Sequence, residues 1–414
     1  MNIITQSLRP EDVFTPRSAT VNPRMYVQRK DLEDMLVSAL RGRLHIVVHG
    51  ESGTGKSWLY KKVLTDENAE FMVANLANAS RFGKISDELR NLVERDGVAI
   101  KEGYEEEKKT EIDAIIASGG LSHTDKFAIG QMEPFESCLY RLRQRAGAHP
   151  AVLVFDNLEA AFIEPLLKEL ADMLILCDDD RYTQYRVHLL IVGVTAGIKE
   201  YYYKTPHHST VANRLYELPE VSRLPRPVAA TLLRRGLIEQ LKYECENFDA
   251  ISAHIVWVTD SVPQMLHEYG LELARLAEKS NRRITVAMMP DADRMWMYQS
   301  LNHLYAVIEH HMNERDAKTG RRNQTLYALG LADGEQFKPQ EIEGRLRKAF
   351  PVTTRDIVLN IPQMMAQFAK GDRPLIKRSP KGDAYSFVDP RYRMLLRAML
   401  KLKDERVVKL ALYR

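Results

Sequence analysis

The sequence predicts an α/β protein: a three-layer domain built on a parallel sheet, then a helical lid domain, then a C-terminal winged-helix domain. Three observations carry this. In the first half of the chain, short β-branched apolar runs alternate with segments of helical period, the pattern of parallel strands joined by right-handed crossovers. The first of those runs leads into a glycine-rich loop and a helix start. Past residue 195 strands give way to helices, and the chain closes on a basic hairpin and a last helix. The boundaries that follow are an N-terminal extension over 1–24, the α/β domain over 25–225 with an insertion at about 98–131, the lid over 226–288 and the winged helix over 289–414.

Composition narrows the function classes. A chain of 414 residues has room for two or three domains. With 45% hydrophobic and 28% charged residues it is not a disordered chain, and a net charge of +3 gives no global argument for nucleic acid. Cys138, Cys177 and Cys245 are scattered, without a C-x-x-C pair, so they read as reduced core cysteines and not as disulfides or metal ligands. His207-His208 lacks partners at ligand spacing and reads as solvated loop. No apolar run approaches the roughly 18 residues a membrane span requires. Met1-Asn2-Ile3-Ile4-Thr5-Gln6 is not a signal peptide, so the expected location is the cytoplasm.

Taken in order, residues 1–24 are rich in Pro and Thr and read as an extended lead-in. Asp31 to Leu40 is a helix with Leu32, Met35, Leu36 and Leu40 on one face. It either covers an adenine ring or caps the sheet edge. Leu44 to His49 is a buried strand, and Gly50-Glu51-Ser52-Gly53-Thr54-Gly55-Lys56-Ser57 follows as G-x-x-x-x-G-K-S, the phosphate-binding loop. A helix then starts at Trp58, the last of nine candidate nucleotide-binding positions from Gly50 onward. The chemistry asks for this order: strand, turn and helix start gather backbone N–H groups and the positive helix end around one anion. The glycines permit backbone angles that a Cβ penalises. Lys56 is placed to reach the β and γ phosphates of ATP, and Ser57 to join a Mg²⁺ shell.

Phe71 to Leu76 is a second strand and Ile85 to about Glu94 a helix. Tyr104-Glu105-Glu106-Glu107-Lys108-Lys109 and Gly119-Gly120 break the pattern and read as a surface insertion. After a helix from Phe135 to Ala146, Val152-Leu153-Val154-Phe155-Asp156 has the form of a Walker B strand. Its aspartate emerges at the carboxyl edge to hold Mg²⁺, or else caps the next helix. A helix from Leu158 to Leu176 and a strand from Val187 to Thr195 complete the P-loop three-layer sheet. Thr195 either senses the γ phosphate or merely ends its strand. Ser209 to Tyr216 is a short helix holding Arg214, and helices over 228–245, 251–258 and 264–278 make the lid. A long helix from about Met289, further helices, a hairpin around Pro380-Lys381-Gly382-Asp383 and a helix from Tyr392 to Leu402 have the pattern of a winged helix.

With those motifs in place the chain resembles the AAA+/STAND group of P-loop ATPases over about residues 25–280, and more loosely the winged helix of origin-recognition ATPases. Val152 to Glu159 is similar to the hhhhDN-hE form of bacterial STAND regulators. The resemblance implies sensor 1 at Thr195, an arginine finger at Arg214 acting on a neighbouring subunit, and a sensor 2 turn at Ser261-Val262-Pro263-Gln264. Two positions depart from it. Asn157 stands where many AAA+ enzymes have the glutamate that activates water, and an amide cannot take a proton at neutral pH. Glu159 is then the candidate base, giving Asp156, Glu159, Arg214 and Thr195 as catalytic candidates and Ser57 and Asp156 as metal ligands. Gln264 replaces the sensor 2 arginine and removes a positive charge.

Both departures point to a slow ATPase acting as a switch. It is expected to form homo-oligomers through the nucleotide interface and to control a separate effector protein, with anti-phage defence a setting by analogy. The alternative is a DNA-binding ATPase of origin-recognition or transposition-helper type. Residues 372–414 hold twelve Lys/Arg against five acids, so a basic wing could meet phosphates, or the lysines are simply solvated. A small-molecule kinase fits least, since nothing after the P-loop supplies an acceptor pocket.

Overall fold

The computed structural model describes residues 8–95, 132–194, 198–205, 209–313, 320–379 and 381–412. The insertion expected at 98–131, Thr195 and His207-His208 lie outside them. Within the described residues the chain forms two compact units, one of 19–21 with 26–222, the other of 8–18, 22–25 and 223–412.

The first unit is a five-stranded parallel sheet. The strands are β1 (His45–His49), β2 (Glu70–Asn75), β3 (Ala151–Asp156), β4 (Val187–Gly193) and β5 (Leu215–Glu217), in the spatial order β2-β3-β4-β1-β5. Ala151 to Phe155 are buried throughout, as strands covered on both faces must be. Two apolar layers flank the sheet. One joins Leu36, Leu40, Tyr60, Val63 and Leu64 to Ile46, Val48, Val152, Val154 and Leu190. The other joins Leu89, Phe135, Leu139, Leu170 and Tyr202 to Leu153, Phe155, Leu189 and Ile191. Alternate residues of each central strand thus serve opposite layers. The β1–β4 pairing puts the end of β1, where the phosphate-binding loop leaves, next to the end of β4 and one strand from the end of β3.

Two local expectations change in this unit. The segment read as one short helix over Ser209–Tyr216 is a 3₁₀ turn over Ser209–Arg214 followed by β5, whose Leu215 is buried against the sheet. Tertiary pairing with β1 wins over local pattern there. Likewise Leu158 to Leu176 begins as a 3₁₀ turn (Leu158–Ala161) and becomes helical only at Glu164.

In the second unit, residues read as an extended lead-in form a short helix (Pro10–Val13). The Phe14 ring after it is fully buried and occupies the space where Gly236 and Gly270 would carry a Cβ, at 2.4 Å in both cases. Helices Arg226–Arg234, Phe248–Val258 and Pro263–Glu278 make up the helical region, with the short strands β6 (Glu244–Cys245) and β7 (Arg283–Ile284) paired in parallel beside them. Farther on run a helix (Arg321–Gly330), β8 (Gln336–Phe337), helices Pro339–Ala349 and Ile361–Phe368, and the strands β9 (Ile376–Arg378) and β10 (Tyr385–Phe387). The three strands form one antiparallel sheet, ordered β8-β10-β9. The closing helix runs over Arg391–Met399, and the residues after it, expected to continue the helix, pair instead as a hairpin of Leu400–Lys403 with Arg406–Lys409. Among the described residues no helix is long and apolar enough to cross a membrane.

Candidate nucleotide-binding site

The loop from Gly50 to Gly55 takes the backbone that its glycines allow. Gly50, Gly53 and Gly55 have φ of +152°, +80° and +96°. A Cβ on Gly50 would lie 2.4 Å from the Val221 carbonyl oxygen, so both conformation and space exclude a side chain there. Gly55 caps the helix Lys56–Asp66, hereafter the P-loop helix, with open space on the side where a Cβ would stand. Thr54 is fully buried, and its hydroxyl donates to Glu51 O at 2.8 Å, closing the turn from inside. Ser52 is exposed and Trp58 half-buried.

Lys56 Nζ donates to Gly50 O at 2.8 Å and Glu51 O at 2.9 Å, so the ammonium is held over the loop. Burial lowers its pKa from the ordinary lysine value, while Glu159 and Asp156 act in the opposite direction. Ser57 Oγ lies 3.4 Å from Asp156 Oδ2. A hydroxyl beside a carboxylate at the edge of the sheet is a hard-oxygen donor set suited to Mg²⁺, and the glycine loop at a helix start is suited to phosphate. The residues present therefore fit Mg²⁺ and a nucleoside triphosphate.

Three residues that the sequence reading passed over complete the surroundings. Tyr60, one turn after Lys56 on the P-loop helix, donates its phenol to Asp156 Oδ2 at 3.1 Å. Asn75 ends β2 directly opposite Asp156, and its Oδ1 accepts from Asn157 Nδ2 at 2.9 Å. Asn157 holds φ +64°, a conformation asparagine tolerates better than most residues, and its own N–H bonds Asp156 Oδ1 at 2.9 Å. Arg29 donates to Thr54 O at 2.7 Å. Asn75 had a legible signal, a polar residue closing an apolar strand. Tyr60 and Arg29 had none without the fold.

Glu159 stands on the 3₁₀ turn after β3 with its side chain exposed. Its Oε2 accepts from Val194 N at 3.1 Å, just past β4, and a Cβ on Gly193 would meet Leu158 Cβ at 2.7 Å. That close packing puts Glu159 at the edge shared with Asp156. Arg214 is paired within its own chain. Its Nε meets Asp178 Oδ2 at 2.6 Å and its Nη1 donates to Thr210 O at 2.8 Å. Gln264 donates to Glu268 in the helical region at 3.0 Å.

The fold and this site define a P-loop ATPase domain. Residues 39–201 match the family described as AAA domain. No curated protein matches the chain. Among solved structures, the chain is similar to a Walker-type ATPase of Pyrococcus abyssi at 15% identity, covering 95% of this chain and 99% of that one with a TM-score of 0.51. It is similar also to the Aeropyrum pernix ORC2 protein in ADPNP–ADP complexes, at 13% identity, 93% and 96% coverage and a TM-score of 0.50.

Proposed function

We propose that the chain is a slow ATP-driven switch whose C-terminal region engages duplex DNA. The observation that carries the switch reading is Asn157, an amide hydrogen-bonded to Asn75 where a glutamate would draw a proton from water. In this reading the loop Gly50–Gly55 and Lys56 bind the phosphates, and Ser57 and Asp156 hold Mg²⁺. Bound there, the metal would supply charge neutralisation on the phosphate oxygens. Glu159, with one oxygen fixed by Val194 N–H, accepts the proton of the attacking water. Arg214 leaves Asp178 to complete the site of a neighbouring subunit in a homo-oligomer.

The DNA half of the proposal is supported by the order helix–β8–helix–helix–β9–β10 with its antiparallel sheet, the arrangement of a winged helix. Lys377, Arg378 and Lys381 are exposed on its β9–β10 hairpin. The seven-charge excess of residues 372–414 overstates what is available. Arg393 and Arg397 are buried on Asp260, Lys401 pairs with Asp293, Lys409 with Glu309 and Arg391 with Asp389. The likeness to an origin-recognition protein supports the same reading. The test is binding of a labelled duplex between 50 and 200 mM salt, with Lys377→Glu/Lys381→Glu as the paired variant. Steep salt dependence, reduced in the variant, is expected. Absence of binding at low salt overturns the DNA half.

Control of a separate effector is the second reading. It is supported by the loop before Ile361, where Val352 and Val358 are 68% and 84% exposed, apolar surface suited to a protein partner.

A further inference from the structure

We infer that Arg29 is a positioning residue for nucleotide phosphate, acting through the Thr54–Gly55 peptide and not by touching the ligand. The inference rests on the nucleotide reading of the loop given above.

Arg29 immediately precedes the helix Lys30–Leu40. Its backbone is fixed from the other side: Glu33 Oε1 accepts both Arg29 N–H at 2.8 Å and the Tyr26 hydroxyl at 2.7 Å. The guanidinium has no carboxylate within ion-pair distance among the described residues and spends its hydrogen bonds on two backbone carbonyls. Nη2 donates to Thr54 O at 2.7 Å and Nη1 to Ser222 O at 2.6 Å. A half-buried cation whose side-chain hydrogen bonds go to carbonyl dipoles polarises those peptides strongly, with Glu33 the nearby carboxylate.

Thr54 C=O and Gly55 N–H belong to one peptide group, which is trans. In a trans peptide the two bonds point to opposite sides, so a cation drawing density onto the oxygen makes the N–H on the far side a better donor. That N–H has no acceptor among the described residues and is left available to an anion. Arg29 thus grips the back of the loop and strengthens its front.

The second carbonyl gives the grip a fixed base. Ser222 ends a strap in which Leu218 N donates to Val47 O at 2.9 Å and Val221 N to His49 O at 2.8 Å. The Val221 carbonyl presses on Gly50. The middle of the loop, through Arg29, and its first glycine, through Val221, are therefore held by the same strap.

The experiment is calorimetry on the full chain with Mg²⁺, comparing wild type, Arg29→Ala and Arg29→Lys against ATP, ADP and AMP, together with each protein's melting temperature without nucleotide. Arg29→Ala is expected to bind ATP and ADP about tenfold to a hundredfold more weakly, the scale of one hydrogen bond to a charged group, with a smaller loss for AMP. Arg29→Lys, which keeps the charge but only one of the two bonds, is expected in between. Equal ATP affinity of wild type and Arg29→Ala overturns the inference alone. So does an equal proportional loss for AMP and ATP accompanied by a lowered melting temperature, the mark of a structural role. If Arg29→Ala does not fold, Arg29→Lys decides: a weaker ATP affinity at unchanged melting temperature supports the inference, and unchanged affinity overturns it. Failure of the wild-type chain to bind ATP overturns the nucleotide reading, and this inference with it.

Discussion

The phenol of Tyr60, a side chain with no exposed surface, donates to the same Asp156 oxygen that faces the Ser57 hydroxyl. Burial and the adjacent carboxylate raise the phenol well above its ordinary pKa, so it stays protonated and acts as a donor. It aims the carboxylate at the edge where Mg²⁺ would sit. Tyr60→Phe keeps the ring in the core and removes only the donor. Its half-saturating Mg²⁺ concentration should rise about tenfold or more, the usual effect of losing a partner of a metal ligand. An unchanged Mg²⁺ titration would mean that Asp156 is aimed by other groups.

In the proposed mechanism Glu159 takes the role of base that the Asn157 amide cannot fill. Glu159→Gln should lower turnover by about 10²–10⁴ while leaving ATP affinity near wild type. Asn157→Glu should raise turnover, since it returns an ionisable group to the position beside Asp156. Steady-state phosphate release measures both. Normal turnover in Glu159→Gln removes it as the base.

Arg214 is held by Asp178 within one chain, which costs little to break because Asp178 is largely exposed and such pairs contribute about 0–1 kcal/mol. Arg214→Ala should bind ATP normally and hydrolyse it about 10³-fold or more slowly. Mixed with Lys56→Ala subunits it should regain part of the activity. A mixture that stays inactive, with wild-type activity per subunit independent of concentration, leaves Arg214 a structural residue.

Acid should destabilise both units. His45 in β1 and His267 in the helix Pro263–Glu278 are pushed down to about 4 by burial, and each ring accepts a backbone N–H at Nδ1, from Leu189 and Thr15 respectively. Unfolded histidine takes its proton near pH 6.5, so between about 6.5 and 4 the unfolded chain binds more protons and stability falls as pH falls. The slope approaches about 1.4 kcal/mol per pH unit for each histidine. Melting temperature followed from pH 7 to pH 5 should drop, and His45→Asn/His267→Asn, which keeps acceptors in place, should flatten the decline.

The parallel sheet was legible because β1, β3 and β4 carry the apolar runs Ile46–Val48, Ala151–Phe155 and Leu189–Val192, and the phosphate loop because its glycines and Lys56 fall at fixed spacing between strand and helix. The strand Leu215–Glu217 was not, because three residues carry no periodicity and only pairing with β1 makes them a strand. The basic C-terminus misled for a related reason: sequence counts Arg393 and Arg397 as charges, while the fold buries them on Asp260. Arg29 and Tyr60 entered the site through contacts across 25 and 96 positions, which no local pattern encodes.

The central claim is that Gly50–Ser57 binds the phosphates of ATP, and calorimetry of ATP with wild type and Lys56→Ala tests it most directly. Lys56 brings a single ammonium over the loop, and its removal takes away the point charge that would face the β and γ phosphates. The account predicts measurable binding by the wild type, largely lost in Lys56→Ala. Equal ATP affinity in the two proteins would contradict it.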